Sequence, residues 1–231
     1  MKAKIIDIWD ETHDVKTFRL IPEESMPFIP GQYLLLRIPE MPETRPFTFS
    51  NAPSERYIEV TVKRIHEFTT ILHAKKPGDE VDIEGPFGEK LNFNESVVED
   101  IVFIAGGSGI TPFMSAIRYW KKRGLRNRIW LFYSNRSELD IIFKKELASF
   151  NVVIVHTLTE DVPSGWKGEK GRINEEMIVR YLDEPRHKLW FVCGPPPMVE
   201  AMRKILQTIG VPEQNWRIED WQLPGKHDKE G

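Results

Sequence analysis

Cysteine is almost absent from this sequence: Cys193 is the single one among 231 residues. An internal disulfide and a cysteine-ligated iron–sulfur cluster within the chain are thereby excluded. Six scattered histidines show no metal-ligand spacing, so no metal site is expected. Neither sign of charge dominates. With a net charge of −3, nothing in the balance points to a nucleic-acid partner. No stretch approaches the roughly 18 apolar residues of a spanning helix, and no membrane insertion is expected. The segment Met1–Asp7 has no apolar signal-peptide core, so a cytoplasmic location is expected. Internal repeats and low-complexity tracts are also missing.

What is present divides in two. Over the first ~95 residues, short strands alternate in period two. The alternation is clearest where Ile58, Val60 and Val62 face one way and Glu59, Thr61 and Lys63 the other. Pro30-Gly31, Pro77-Gly78-Asp79 and Gly85-Pro86 supply turn signals between strands. That pattern predicts a small antiparallel β-barrel, interrupted by one short helix over Thr69 to Ala74. The polar, acidic stretch Asn92–Asp100 marks a boundary, giving a barrel domain over 1–96 and an α/β domain over 97–231. In the second half, the near-continuous apolar runs Ile101–Ala105, Arg128–Tyr133, Asn151–His156 and Leu189–Cys193 alternate with helical stretches. They read as parallel strands covered on both faces.

The most informative stretch is Gly106-Gly107-Ser108-Gly109 between the first of these runs and Ile110-Thr111-Pro112. Thr111 can cap a helix whose first residue is Pro112, with Phe113, Ile117 and Trp120 on one face and Gly124 as its stop. A helix start after a glycine turn suits a phosphate. A plain strand–turn–helix connection would look the same. A second sharp turn, Cys193-Gly194-Pro195-Pro196-Pro197, follows the last apolar run and leads into a helix stopped by Gly210. Ligands of such sheets bind beyond the carboxyl ends of the strands, where both turns lie.

In the barrel half, Arg45-Pro46-Phe47-Thr48 gathers a forked cation for a pyrophosphate, an aromatic face for a flat ring and a hydroxyl for a ring nitrogen. Arg45 and Phe47 share a strand face while Thr48 points opposite, so one ligand meets all three only at a strand end or bulge. A barrel strand with core phenylalanines and a surface arginine fits the same residues.

Taken in order, Arg45–Thr48, Gly85-Pro86-Phe87-Gly88, Gly106–Pro112 and Cys193-Gly194-Pro195-Pro196 resemble the ferredoxin–NADP reductase family over essentially the whole chain. The resemblance implies a flavin-binding antiparallel barrel followed by a nicotinamide-nucleotide α/β domain. It implies that Arg45 binds the flavin pyrophosphate, Phe47 packs on the isoalloxazine and Thr48 bonds flavin N5. The family usually has tyrosine at the Phe47 position. The family's second flavin segment corresponds to Arg64–Thr70, where Thr69 or Thr70 can cap a helix and meet a phosphate, although the loop glycine is missing and Glu67 adds negative charge. FAD is the expected cofactor because Arg45 implies a pyrophosphate, with FMN as the alternative.

By the same resemblance, Cys193 lies beside the nicotinamide, shaping its pocket without nucleophilic chemistry; read alone, it is a small residue ending a buried strand. Trp221 would cover the flavin face and Glu219 would line the nicotinamide pocket or a proton path; alternatively, Trp216 and Trp221 are half-buried in a last strand. Where NADP-using relatives carry a Ser-Arg pair, this sequence has Thr159-Glu160-Asp161, which favours NADH, while Arg136 offers a phosphate a competing partner. The implied activity is transfer of a hydride from NADH or NADPH to flavin and of electrons to a separate acceptor: a ferredoxin, a flavodoxin, an oxygenase component, free flavin or ferric iron. A flavin-bearing subunit of a larger electron-transfer complex is the alternative.

Overall fold

The computed structural model describes residues 1–220. Its described residues form two six-stranded sheets. The first is antiparallel, built from β1 (Lys2–Asp10), β2 (Val15–Pro22), β3 (Tyr33–Arg37), β4 (Thr44–Thr48), β5 (Ile58–Lys63) and β6 (Glu80–Phe87) in the order β4-β3-β6-β1-β2-β5. Its outer strands meet: Phe49, one residue past β4, bridges Val60 of β5 and closes the barrel. Closure removes the exposed strand edges that an open sheet would leave. Ile5, Phe18, Leu20, Leu34, Leu36, Phe49 and Val60 are fully buried inside.

Two expectations for this half change. The helix α1 runs over Glu67–His73, two residues earlier than the sequence predicts, because His66 takes the extended cap position. The polar face of β5 is also covered: Glu59 and Thr61 are buried like their apolar neighbours. Alternation there marks two differently filled buried faces, not an inside and a solvent side.

The second sheet is parallel, built from β7 (Ile101–Gly106), β8 (Ile129–Asn135), β9 (Val153–Leu158), β10 (Glu169–Lys170), β11 (Leu189–Gly194) and β12 (Trp216–Asp220) in the order β10-β9-β8-β7-β11-β12. Every residue of β7 and β11 is buried, as near-continuous apolar strands require. From β7 the chain moves to β8 on one side and later returns to β11 on the other. The carboxyl ends of β7 and β11 therefore flank the switch point of the sheet. The helices α4 (Glu175–Tyr181) and α5 (Pro196–Thr208) belong with this sheet.

The chain separates into two compact units. One takes in residues 1–97, 111–126 and 139–150; the other takes in 98–110, 127–138 and 151 onward. The helix α2 (Thr111–Arg123), entered directly from the first glycine turn, and the short α3 (Lys144–Leu147) thus pack with the barrel. The helix α2 begins at Thr111 itself, one residue before the expected start, and ends just before Gly124. Its first seven residues are buried all round.

Candidate functional site

On β4, Leu36 pairs with Arg45, Leu34 with Phe47 and Tyr33 with Thr48. Pro46 is tolerated because β4 is the terminal strand of its ladder. Arg45 and Phe47 share a face, and both approach Phe68 of α1. The Arg45 guanidinium lies 5.8 Å from the Phe68 ring centre, and the Phe47 ring lies 6.3 Å from it at 29°. Phe68 thus forms the back wall of this face; it lies just before the helix expected over Thr69 to Ala74, so the sequence assigns it no role. Thr48 is buried and is the last residue of β4, the strand end that three-way contact demands.

These residues suit a flavin diphosphate. Arg45 contacts Glu43 at 3.3 Å in a pair about one-third exposed, an interaction worth little in water that a pyrophosphate can replace. Phe47 is half-buried, leaving part of its ring to meet a flat ligand. The threonines of α1 differ from expectation. Neither is the N-cap residue, which is His66; Thr69 instead closes a capping box on the His66 backbone. Thr69 occupies its third position, where Oγ1 accepts from Ile65 N at 2.9 Å and His66 N at 3.1 Å and donates to His66 O at 2.9 Å. Thr70 is exposed, and its amide donates to His66 O. Gly85 has a packing reason for being glycine: a Cβ there would lie 3.3 Å from Leu34 Cα and Tyr33 O.

The two glycine turns of the parallel sheet touch through their backbones. A Cβ on Gly109 would lie 2.3 Å from Cys193 O, and one on Gly194 would lie 3.1 Å from Gly106 N. A Cβ on Gly106 would meet Met198 Sδ and Pro195 Cδ at 2.8 Å. Gly107 is different: it has φ +53°, and a Cβ there would meet nothing within 4 Å. One face of the first turn is therefore packed and the other open. Tyr133 Oη donates to Gly107 O at 3.1 Å, tying the turn to β8. Across the sheet, Ala105, Cys193 and Glu219 stand in register on β7, β11 and β12. Cys193 is fully buried and Glu219 half-buried. Trp221 lies outside the described residues.

At the carboxyl ends of β8 and β9, Thr159 N and Oγ1 donate to Asn135 O, and Glu160 N donates to Arg136 O. The Arg136 and Glu160 side chains are 3.7 Å apart, both largely exposed.

One constellation in the barrel unit escapes sequence reasoning. Glu59 Oε1 accepts from Arg19 Nε at 3.0 Å and Nη2 at 2.8 Å, and Oε2 accepts from Arg118 Nη1 at 2.9 Å. Arg118 also donates from Nε and Nη2 to Glu146 at 2.9 and 2.6 Å. The Glu59 side chain is 4 % exposed and that of Arg118 is 16 % exposed. Burial works to lower the Arg118 pKa, but its hydrogen bond to Glu146 and the Glu146 and Glu59 charges outweigh that and raise it. The set floors a cleft of about 610 Å³. Its members are scattered through the sequence at 19, 59, 118 and 146, so no local motif announces them.

The family model described as Oxidoreductase FAD-binding domain matches residues 2–91, and that described as Oxidoreductase NAD-binding domain matches residues 103–204. The chain is 29 % identical over 228 residues to the Sulfhydrogenase 1 subunit gamma of Pyrococcus furiosus, covering 93 % of this chain and 77 % of that protein. It is 30 % identical over 222 residues to the Glycine betaine monooxygenase reductase subunit of Pseudomonas aeruginosa, covering 90 % and 60 %. It spans between 48 % and 64 % of six further curated relatives. Among solved structures, the cytochrome b5 reductase domain of Ulva prolifera nitrate reductase matches with a TM-score of 0.82 at 27 % identity, covering 94 % of this chain and 96 % of that one. No described helix is long and apolar enough to cross a membrane.

Proposed function

The chain belongs to the ferredoxin–NADP reductase family of flavoprotein oxidoreductases, and we propose that it is an NAD(P)H-dependent reductase passing electrons through bound FAD to a separate acceptor. When bound, FAD accepts a hydride from the nicotinamide and releases electrons onward, chemistry that belongs to the cofactor. The chain's own residues bind, orient and shield. The observation that carries this reading is the backbone contact between the turns at Gly106–Gly109 and Cys193–Gly194, at the switch point of a parallel sheet.

In this reading, residues 1–96 form the flavin domain and 97–231 the nucleotide domain. Arg45 holds the pyrophosphate, Pro46 and Phe47 border the isoalloxazine, and Thr48 supplies a hydrogen bond to its N5. Thr70 is better disposed than Thr69 to meet a phosphate, since the Thr69 hydroxyl is engaged with its own backbone. Gly85 keeps the barrel strands close. Gly107 offers the open side of its turn to the nucleotide, with Thr111 at the following helix start. Gly106, Gly109, Gly194 and Pro195 keep the two turns together. Cys193 shapes the nicotinamide end, and Glu219 beside it lines that pocket or a proton path.

Glu160 repels a 2′-phosphate and engages Arg136, so NADH is the preferred reductant. The acceptor is a protein or small molecule reached in the cytoplasm. Oxygenase components are the leading class, as the Pseudomonas relative is named a monooxygenase reductase subunit. A second reading, a flavin-bearing subunit of a larger complex, draws support from the Pyrococcus relative, named a subunit and matched over 77 % of its length.

The test is anaerobic reduction of the purified, FAD-loaded chain by NADH and NADPH in parallel, followed by an acceptor screen. Bleaching by NADH and reoxidation by an added acceptor is the expected outcome. A chain that takes up no FAD, or whose FAD neither coenzyme reduces, overturns the reading. Rapid reduction without turnover on any acceptor favours the subunit.

A further inference from the structure

We propose that Arg118 and Ser115, on α2, are positioning residues for the flavin strand: they anchor Ser50 and Asn51 and thereby fix how Thr48 is presented. The inference rests on the proposed contact of Thr48 with flavin.

The chain changes partners at this point. Thr48 makes the last pair with β3, whereas Phe49 already bridges β5 and Ser50 N donates to Glu59 O. The β3 side reaches one residue further, through Phe49 N donating to Gln32 O at 3.1 Å, and from Ser50 onward the bonds go to β5 and α2. The orientation of Thr48 is therefore set by β3 on one side and by whatever holds Ser50 and Asn51 on the other. Those two residues are held from several directions. Arg118 Nη1 donates to Ser50 O at 2.7 Å, and Ser115 Oγ donates to Asn51 O at 2.7 Å. Thr61 Oγ1 donates to Ser50 Oγ at 3.0 Å. Asn51 Oδ1 accepts from Glu59 N at 2.8 Å, and its Nδ2 donates to Tyr57 O at 2.8 Å. All of these groups belong to the barrel unit.

Stability alone does not call for this chemistry. A buried ion pair gains little over well-packed apolar residues of similar volume, because desolvation offsets its attraction. A guanidinium adds direction. Its planar fork reaches Glu146, Glu59 and the Ser50 carbonyl together, whereas an ammonium acts as a point charge. Glu59 and Glu146 orient the fork, and the remaining contact goes to the backbone that follows the flavin strand.

The test uses the full FAD-loaded chain and reads the visible flavin bands, the flavin midpoint potential and FAD affinity for Thr48→Val, Arg118→Met, Arg118→Lys and Ser115→Ala. Thr48→Val is expected to shift bands and potential. Arg118→Met should shift both in the same direction, with FAD affinity changed by less than about threefold because Arg45 is untouched. Arg118→Lys should shift them nearly as far, since charge without the fork does not restore the Ser50 contact. Ser115→Ala should give a smaller shift of the same sign, and it carries the test alone if Arg118→Met does not fold. Unchanged bands and potential in the Arg118 and Ser115 variants, with Thr48→Val shifted, overturn the positioning role. Full rescue by Arg118→Lys also overturns it, leaving only charge neutralisation. Unchanged bands in Thr48→Val overturn the flavin contact itself, and the positioning role with it.

Discussion

The parallel-sheet unit and the barrel unit build their candidate sites from opposite materials. In the sheet unit the work is done by backbone. Gly106, Gly109 and Gly194 let two turns touch where any side chain would collide with main chain or with the Met198 and Pro195 side chains. In the barrel unit it is done by side chains: Arg45 and Phe47 against Phe68, with two arginines and two glutamates gathered on the buried Glu59 holding the segment that follows. A backbone-built site depends on residues adjacent in sequence. A side-chain-built site depends on residues that only folding brings together.

The largest expected effect breaks the first half of that comparison. Gly109→Val places a Cβ 2.3 Å from Cys193 O, where neither backbone can yield cheaply. Overpacking typically costs about 1–3 kcal/mol, and contact with main chain puts this variant at the upper end or beyond. Flavin reduction by NADH should be lost and thermal stability should fall. Gly107→Asn separates these effects. Its site is open, and asparagine tolerates the left-handed φ of +53°. That variant should unfold near the parent temperature while its KM for NADH rises. A Gly107→Asn variant with parental KM would show that the open side of the turn does not face the nucleotide.

Next in size is the barrel side. Arg45→Ala removes a charge-assisted partner of the pyrophosphate, worth about 1.5–3 kcal/mol, or roughly ten- to hundredfold in flavin affinity. Flavin content after dialysis measures it, and equal retention in variant and parent would remove Arg45 from the site. Because the glycine turns lie in the other unit, Gly107→Asn should retain flavin fully.

The same contrast explains what the sequence discloses. The apolar runs at 101–105 and 189–193 announce buried parallel strands, and the glycines after them announce turns at the carboxyl ends, because each signal is local. Arg45, Phe47 and Thr48 stand out as candidates for the same reason, being adjacent in sequence. Glu59 is not: at an alternating position it looks like a solvent-facing residue, and the cover provided by α2 is encoded about 50 residues later. Thr69 is misplaced by two residues because His66, a weak capping type, precedes the helix. Phe68, just before the expected helix, is assigned no role.

A smaller effect concerns coenzyme choice. Arg136 and Glu160 form an exposed pair, and such pairs contribute about 0–1 kcal/mol. Glu160→Gln removes the carboxylate that repels a 2′-phosphate and releases Arg136 toward one. The KM for NADPH should fall by a few-fold while that for NADH changes little. A parent enzyme that already prefers NADPH, with the preference lost in Arg136→Ala, would reverse the assignment.

The smallest expected effect is a pH dependence seated in the barrel unit. His73 is buried on α1, and its Nε2 lies 2.8 Å from Val62 O. A carbonyl oxygen only accepts, so Nε2 carries the proton and donates. Burial disfavours the charged ring and lowers its pKa below 6.5, outweighing the pull of the Val62 carbonyl; the Lys16 and Arg64 charges act in the same direction as burial, and Asp10 acts against it. The unfolded chain, with an ordinary histidine, therefore binds more protons than the native one between the native pKa and about 6.5. Stability must therefore rise with pH through that window, fall on acidification through it, and show no further dependence on His73 below it. His73→Gln keeps a donor for Val62 O but cannot titrate. Its urea midpoint should change less than the parent's between pH 7 and pH 5.5, while the two slopes converge above neutrality. Parallel pH profiles in parent and variant would show that His73 titrates alike in the native and unfolded chain, its pKa not lowered by burial, and would locate the acid sensitivity of the barrel in its carboxylates instead.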